Sequence, residues 1–309
     1  MLFKPKHAGW VAVCLYPDRV DVARVGFSSA RPKLELLESY ERGADDVDTL
    51  KRLSRKHDLA RRNVTTLLAP GDYQLLSVDA PKVARAEMKD AVRWQIKDML
   101  DYPVEQATID LLEIPASQSS ANRVPAVLVA AARNSAIEPL MKAFSGAHVG
   151  LKAIDVCELG QRNVAALYEE ENRGLAMLSF DTAAGYLTFT CNGELYMSRR
   201  VDVGLNQLLN ADGERQTQLL EKIGLELQRS IDNVERQFSA IPLKKLLLAP
   251  HPQADQLRMF LSDYINVQIE ILDLSAVIDF SAVPALASSE RQTQCFATLG
   301  AALRSEVAA

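Results

Sequence analysis

The feature that most constrains this chain is a repeated plan of elements. WVAVCL (Trp10 to Leu15), VDVARVGF (Val20 to Phe27) and KLELLESYE (Lys33 to Glu41) read as three strands from their alternation and β-branched content. Tyr16-Pro17-Asp18-Arg19 turns between the first two. DVDTLKRLSRKHDLA then places Val47, Leu50 and Leu53 at helical spacing behind an N-cap at Asp45 or Asp46, and VTTLLA (Val64 to Ala69) is a buried strand. The same order returns roughly 165 residues later. GLAMLSF (Gly174 to Phe180), the turn DTAAG (Asp181 to Gly185), YLTFTCN and ELYMSRRVDVG (Glu194 to Gly204) give three strands. A helix from Gln216 to Phe238 carries Leu219, Leu220, Ile223, Leu227, Ile231 and Val234 on one stripe, and LKKLLLA (Leu243 to Ala249) is the following strand. Two copies of strand–strand–strand–helix–strand predict two similar lobes facing each other across a cleft.

Between the copies the pattern predicts a helix from Ala86 to Leu100, stopped by Pro103, which cannot continue it. TIDLLEI and VPAVLVAAA follow as strands, separated by the polar loop PASQSSANR. A helix from Ser135 to Phe144, a strand near Leu151 to Ile154, a helix from Glu158 to Tyr168 and a short terminal helix from Thr298 to Arg304 complete the reading.

Charge and cysteine usage exclude several function classes. A formal net charge of -5 means that the whole-chain field attracts neither nucleic acid nor anionic lipid. No apolar run is long enough for a spanning helix, and the first residues, with Lys4 and Lys6, read as a short leader on a cytoplasmic protein. Cys14, Cys157, Cys191 and Cys295 are scattered and form no CxxC pair, as are His7, His57, His148 and His251, so neither a disulfide framework nor a metal site is expected. GxSxG, GxxxxGK[ST] and HExxH motifs are absent, and Glu169-Glu170-Glu171 reads as a solvated helix end.

Several stretches, in order, resemble the PilM/MshI family of type IV pilus (MSHA pilus) biogenesis proteins, which has an actin-like fold related to FtsA. They are AVRWQIKDMLDYPVEQATID, VLVAAARNSAIEPL, VGLKAIDVCELGQRNVA, FDTAAGYLTFTCNGELYMSRRVDVG, LELQRSIDNVERQF and FATLGAALR. The resemblance covers nearly the whole chain and implies an α/β, actin-like ATPase fold with two RNase H-like lobes and an inserted small α/β subdomain in lobe one. Lobe one is then expected at 1–157, with the insert at about 80–130 and the C-terminal helix 290–309 completing it, and lobe two at 158–289. The resemblance also implies a cytoplasmic protein, peripheral to the inner membrane, that binds the cytoplasmic tail of a PilN-like inner-membrane protein and works with other pilus platform components.

In that family two hairpin turns grip ATP, and a loop of lobe two holds the base. Phosphate-gripping turns need free backbone N–H groups, glycine for close approach and an Asp to organise Mg²⁺. The family's first turn reads D-x-G-S-S; here Cys14-Leu15-Tyr16-Pro17-Asp18 replaces the acid with Cys14 and the glycine with Tyr16, and Pro17 has no N–H. The second turn keeps Asp181, Thr182 and Gly185, with Ala183 for the usual glycine. These residues can hold a phosphate or simply make a good hairpin turn. The base loop has become Ala249-Pro250-His251-Pro252, with His251 expected exposed. ATP with Mg²⁺ is therefore disfavoured as a cofactor, and a degenerate ATPase is expected, the alternative being an active ATP-binding protein or ATPase of the same fold. A membrane tether of the FtsA kind is expected to end in an amphipathic helix, whereas this sequence ends RSEVAA.

For partner binding the helical wheel singles out Trp94, flanked by Arg93 and Lys97. Met88, Ala91, Val92, Ile96 and Met99 share one stripe, and Trp94 falls roughly 140° from its centre. Trp94 can pack on the body of lobe one or anchor a partner, and the two readings are compatible.

Overall fold

The computed structural model describes residues 9–27, 31–115 and 125–305. The expected leader, most of the polar loop PASQSSANR and the final residues lie outside these.

The first unit is built from β1 (Val11–Leu15), β2 (Arg19–Gly26), β3 (Lys33–Glu41), α1 (Asp46–His57), β4 (Val64–Leu67) and, after an insert, α3 (Asn134–Gly146) and β8 (Leu151–Asp155). The insert holds β5 (Tyr73–Asp79), α2 (Met88–Gln95), β6 (Ala107–Glu113) and β7 (Ala126–Arg133). Helix α4 (Cys157–Ala165) leads into β9 (Gly174–Phe180), β10 (Gly185–Cys191), β11 (Glu194–Val201), α5 (Leu205–Asn210), α6 (Gly213–Gln237), β12 (Leu243–Leu248), α7 (Ala254–Tyr264), β13 (Gln268–Ile271) and α8 (Leu274–Val277). Helix α9 (Ser289–Ala302) returns to the first unit. The two main sheets have the same order, β3-β2-β1-β4-β8 and β11-β10-β9-β12-β13, with the first three strands antiparallel and the rest parallel.

Period-two alternation decides which face each strand residue serves. Val11, Val13, Val20 and Val22 point to one side, where Leu50 and Leu53 of α1 and Phe144 of α3 cover them. Ala12, Cys14, Ala23 and Val25 point to the other. In lobe two, Ala176, Leu178, Leu246 and Leu248 meet Ile223, Leu227, Leu257 and Leu261 of α6 and α7. Leu175, Met177 and Leu247 point inward and join the cluster that holds Ala12 and Cys14, together with α4 and α9. One apolar core thus runs through the junction of the lobes. Each fully buried large side chain there contributes roughly 2 kcal/mol, so the lobes are joined by burial rather than by a linker.

Helices α4 and α9 cross at two glycines. A Cβ on Gly300 would stand 2.4 Å from the Gly160 carbonyl oxygen. Gln161, also on α4, is buried; its Nε2 donates to Met177 O, Tyr186 O and Thr188 Oγ1, and its Oε1 accepts from Ser179 Oγ.

The insert is a three-stranded sheet, β5-β7-β6, running from Tyr73 to Arg133, wider than the expected span of about 80–130. Val127, Val129 and Ala131 of β7 face α2 through Val92 and Ile96. Leu128 and Ile114 on the opposite face pack against Phe189, Leu195, Tyr196 and Val234 of lobe two. The insert therefore touches both lobes.

Helix α2 is shorter than the 86–100 expected. It ends at Gln95 with Ile96 as its C-cap, and Lys97–Met99 form a tighter 3₁₀ turn before Leu100 becomes extended. That turn brings Tyr102 and Val104 into the insert's core and leaves Met99 46% exposed instead of on the buried stripe.

Candidate functional site

The first hairpin is pinned to α9. The Tyr16 hydroxyl and Thr298 Oγ1 are 2.9 Å apart, and the Arg19 guanidinium lies 4.2 Å over the Tyr16 ring. Arg19 also donates to the Gln294 carbonyl and, through Nε, to both oxygens of Asp21. Asp21 is completely buried, directly across the ladder from Cys14, and accepts from Ser39 and Thr298 hydroxyls. Burial pushes the Cys14 thiol up to about 12 and the Tyr16 phenol well above its ordinary value, so both are neutral at any physiological pH. Sequence reasoning missed Asp21, Arg19 and Thr298. An acid inside the apolar run of the second strand was the available signal for Asp21.

The second hairpin is self-satisfied. Asp181 Oδ1 accepts from the Ala183 and Ala184 amides, both at 2.7 Å, and Oδ2 accepts from the Tyr186 hydroxyl at 2.8 Å. This is the side-chain-to-backbone turn that Asp makes by itself. The turn backbone leans on Gly204, where a Cβ would stand 2.3 Å from the Ala183 carbonyl carbon. Thr182 sends its carbonyl to the Asn206 amide, and Gly185 pairs across both neighbouring strands, with Phe180 and Val201. The structure thus brings Asp181, Thr182, Ala183 and Gly185 together, with the amides of Ala183 and Ala184 already bonded to Asp181.

The Ala249–Pro252 loop corrects one expectation. His251 is not exposed but only 6% accessible. The two prolines fold the loop back so that α7 starts at Ala254, whose N–H donates to His251 O. The imidazole meets the Phe180 ring edge to face at 5.4 Å, while Pro250 O accepts from Thr293 of α9. Nδ1 accepts from the Gln253 amide, Nε2 has no partner, and burial lowers the pKa to about 4.

On α2 and the 3₁₀ turn after it, the three candidate partner-binding residues separate. Trp94 is 70% exposed, so it does not pack on the lobe body. Lys97 Nζ stands 5.9 Å from its ring centroid. Arg93 is half-buried, and its Nη1 donates to Val104 O at 2.9 Å and Ala107 O at 3.2 Å, tying the helix to the chain entering β6.

Among the described residues no three His, Cys, Asp or Glu side chains are grouped to hold a metal ion, and no helix is long and apolar enough to cross a membrane. No sequence-family model matches the chain, and no curated protein matches it. Solved structures do. The chain is similar to that of a PilM-PilN type IV pilus biogenesis complex, 20% identical over 97% of this chain and 99% of that chain, with a TM-score of 0.70. It is also similar to a Bacteroides thetaiotaomicron protein with an actin-like ATPase fold and unknown function, 10% identical over 93% and 98% of the two chains, with a TM-score of 0.50. With its two like-ordered sheets around α4 and α9, this chain has the actin-like ATPase fold.

Proposed function

We propose that the chain is a PilM-like component of a type IV pilus assembly platform, and that it binds the cytoplasmic tail of a PilN-like inner-membrane protein without using nucleotide. The observation that carries this reading is the end-to-end likeness to the PilM-PilN complex, insert included. The protein then resides in the cytoplasm, held at the inner membrane through its partner and in contact with other platform components. The finer assignment, MshI of an MSHA-type system, is supported by the ordered sequence resemblance alone.

Trp94 supplies the anchor. An exposed Trp on an otherwise charged helix face is the kind of side chain that dominates binding energy once a partner covers it. Lys97 beside the ring adds a cation for an acidic tail residue, and Arg93 holds the helix in place. The cleft contributes no phosphate grip in this reading, because Pro17 has no N–H, Tyr16 is bonded to α9, and Asp181 takes the amides of the second turn. Asp181, Thr182, Ala183 and Gly185 are vestiges of a nucleotide site.

A fluorescence titration with a synthetic tail peptide tests the first half. Binding is expected without nucleotide, and Trp94→Ala should weaken it by about 2 kcal/mol, roughly thirtyfold, with an unchanged melting temperature. A tail that does not bind removes the adaptor reading. Thermal melts test the second half: Tm is expected to stay flat up to millimolar Mg-ATP, and a saturable rise would restore an ATP-operated protein.

A further inference from the structure

We infer that the outer face of α1 is a docking surface for an anionic bilayer. Lys51, Arg52, Arg55 and Lys56 line an open depression of about 690 Å³ on this helix, with Asp48 as the remaining lining residue. Four cations less Asp48 and Glu38, which pairs with Lys56, give a local charge of +2, whereas the whole chain carries -5. The remainder of the molecule is therefore at -7, so the patch stands against a negative background and an anionic surface would select this face.

The bland account of such a stripe is the helix dipole, which favours cations in the last turn. It covers Arg55 and Lys56 but leaves Lys51 and Arg52, one turn earlier, without a reason. Internal pairing accounts for two of the four. Lys51 stands 3.6 Å from Asp48, and Lys56 is 2.8 Å from Glu38 and bonded to the Tyr40 hydroxyl. Arg52 and Arg55 are exposed and have no ion-pair or hydrogen-bond partner among the described residues.

The shape of the patch decides between a bilayer and an acidic protein. Every lining residue is charged, with no aromatic or aliphatic anchor at the centre, whereas protein interfaces are organised around such anchors. Long cations side by side on an open surface suit a plane of headgroups. The position suits it too. Helix α1 covers the face of the first sheet that points away from α9 and lobe two, so nothing in lobe two shields it. Each cation near an anionic surface raises partitioning by roughly fivefold, which is reversible binding that orients a protein rather than anchors it. The inference rests on the platform reading only in placing a bilayer within reach.

The test is sedimentation of the full chain with vesicles, without any tail peptide. Vesicles of phosphatidylcholine with phosphatidylglycerol should bind it, phosphatidylcholine alone should not, and salt at about 0.5 M should release it. Arg52→Glu/Arg55→Glu should reduce partitioning by at least about twentyfold. Arg215→Glu/Lys244→Glu, with the same change in net charge on exposed positions of lobe two, should lose far less. Circular dichroism melts establish that both variants are folded. Equal binding to neutral and anionic vesicles, or equal losses in the two variants, overturns the proposal. So does binding of an acidic peptide at α1 by a chain that ignores both vesicles. Because the tail titration at Trp94 is a separate assay, failure here leaves that reading intact, and failure there leaves this one.

Discussion

Between Pro250 and Pro252 one imidazole sets a pH dependence that the rest of the fold must carry. His251 is buried and neutral, with its pKa lowered from 6.5 to about 4 by desolvation. The unfolded chain takes up a proton as pH falls through 6.5, while the native ring stays neutral until about 4. The unfolded state thus binds more protons across that window, and stability falls as pH is lowered from 6.5 towards 4, by at most roughly 3 kcal/mol. His251→Gln removes the titration. Urea unfolding at several pH values should show a shallower loss in the variant than in the parent over this range, and parallel profiles would contradict the assignment. The position of His251 could not be read from the sequence, because two flanking prolines suggest an exposed turn, whereas here they fold the ring against Phe180.

At the scale of elements, α2 separates binding from support. Arg93 donates to two carbonyls of the chain leading into β6, and Trp94 reaches solvent from the next position. Removing the guanidinium leaves both acceptors without that donor, at a cost of about 1–3 kcal/mol. Arg93→Ala should therefore lower the melting temperature and speed amide exchange around Val92 and Ile96, with Arg93→Lys recovering part of the loss. A variant with native exchange rates would show that the helix is held by its apolar face alone. Most elements of the two repeated units were legible in the sequence, since Gly174–Phe180 is a short continuous apolar run buried on both faces, Lys33–Glu41 alternates apart from the Leu36-Leu37 pair, and Asp45 caps α1. Three were not. In β5 most side chains are half-buried, and β13 has only four residues, so neither shows a strong period. Helix α7 adds Met259 and Phe260 outside its Leu257–Leu261 stripe, which blurs the pattern. The first half of α9, SERQTQ, has no apolar stripe, and its start is marked only by the Ser288 cap. At the hairpins the sequence showed the lost glycine and amide. It could not show that Tyr16 bonds to Thr298, 282 positions away, or that Asp21 is satisfied underneath.

For the whole molecule, the crossing of α4 and α9 is the point where the lobes are held. At Gly300 an added methyl would press on the Gly160 backbone at 2.4 Å, whereas at Gly160 it would meet Ala297 O and Ala301 N at 3.4 Å, an ordinary contact. Gly300→Ala should thus destabilise the chain by about 1–3 kcal/mol, and Gly160→Ala by clearly less. Chemical denaturation midpoints measure the pair, and equal losses would mean the helices slide freely past each other. The insert adds a second tie, since Leu128 and Ile114 are buried against Phe189, Tyr196 and Val234. Parting the lobes would strip that apolar seam as well as turn the helix pair, so any opening between the two halves carries a burial cost at both places.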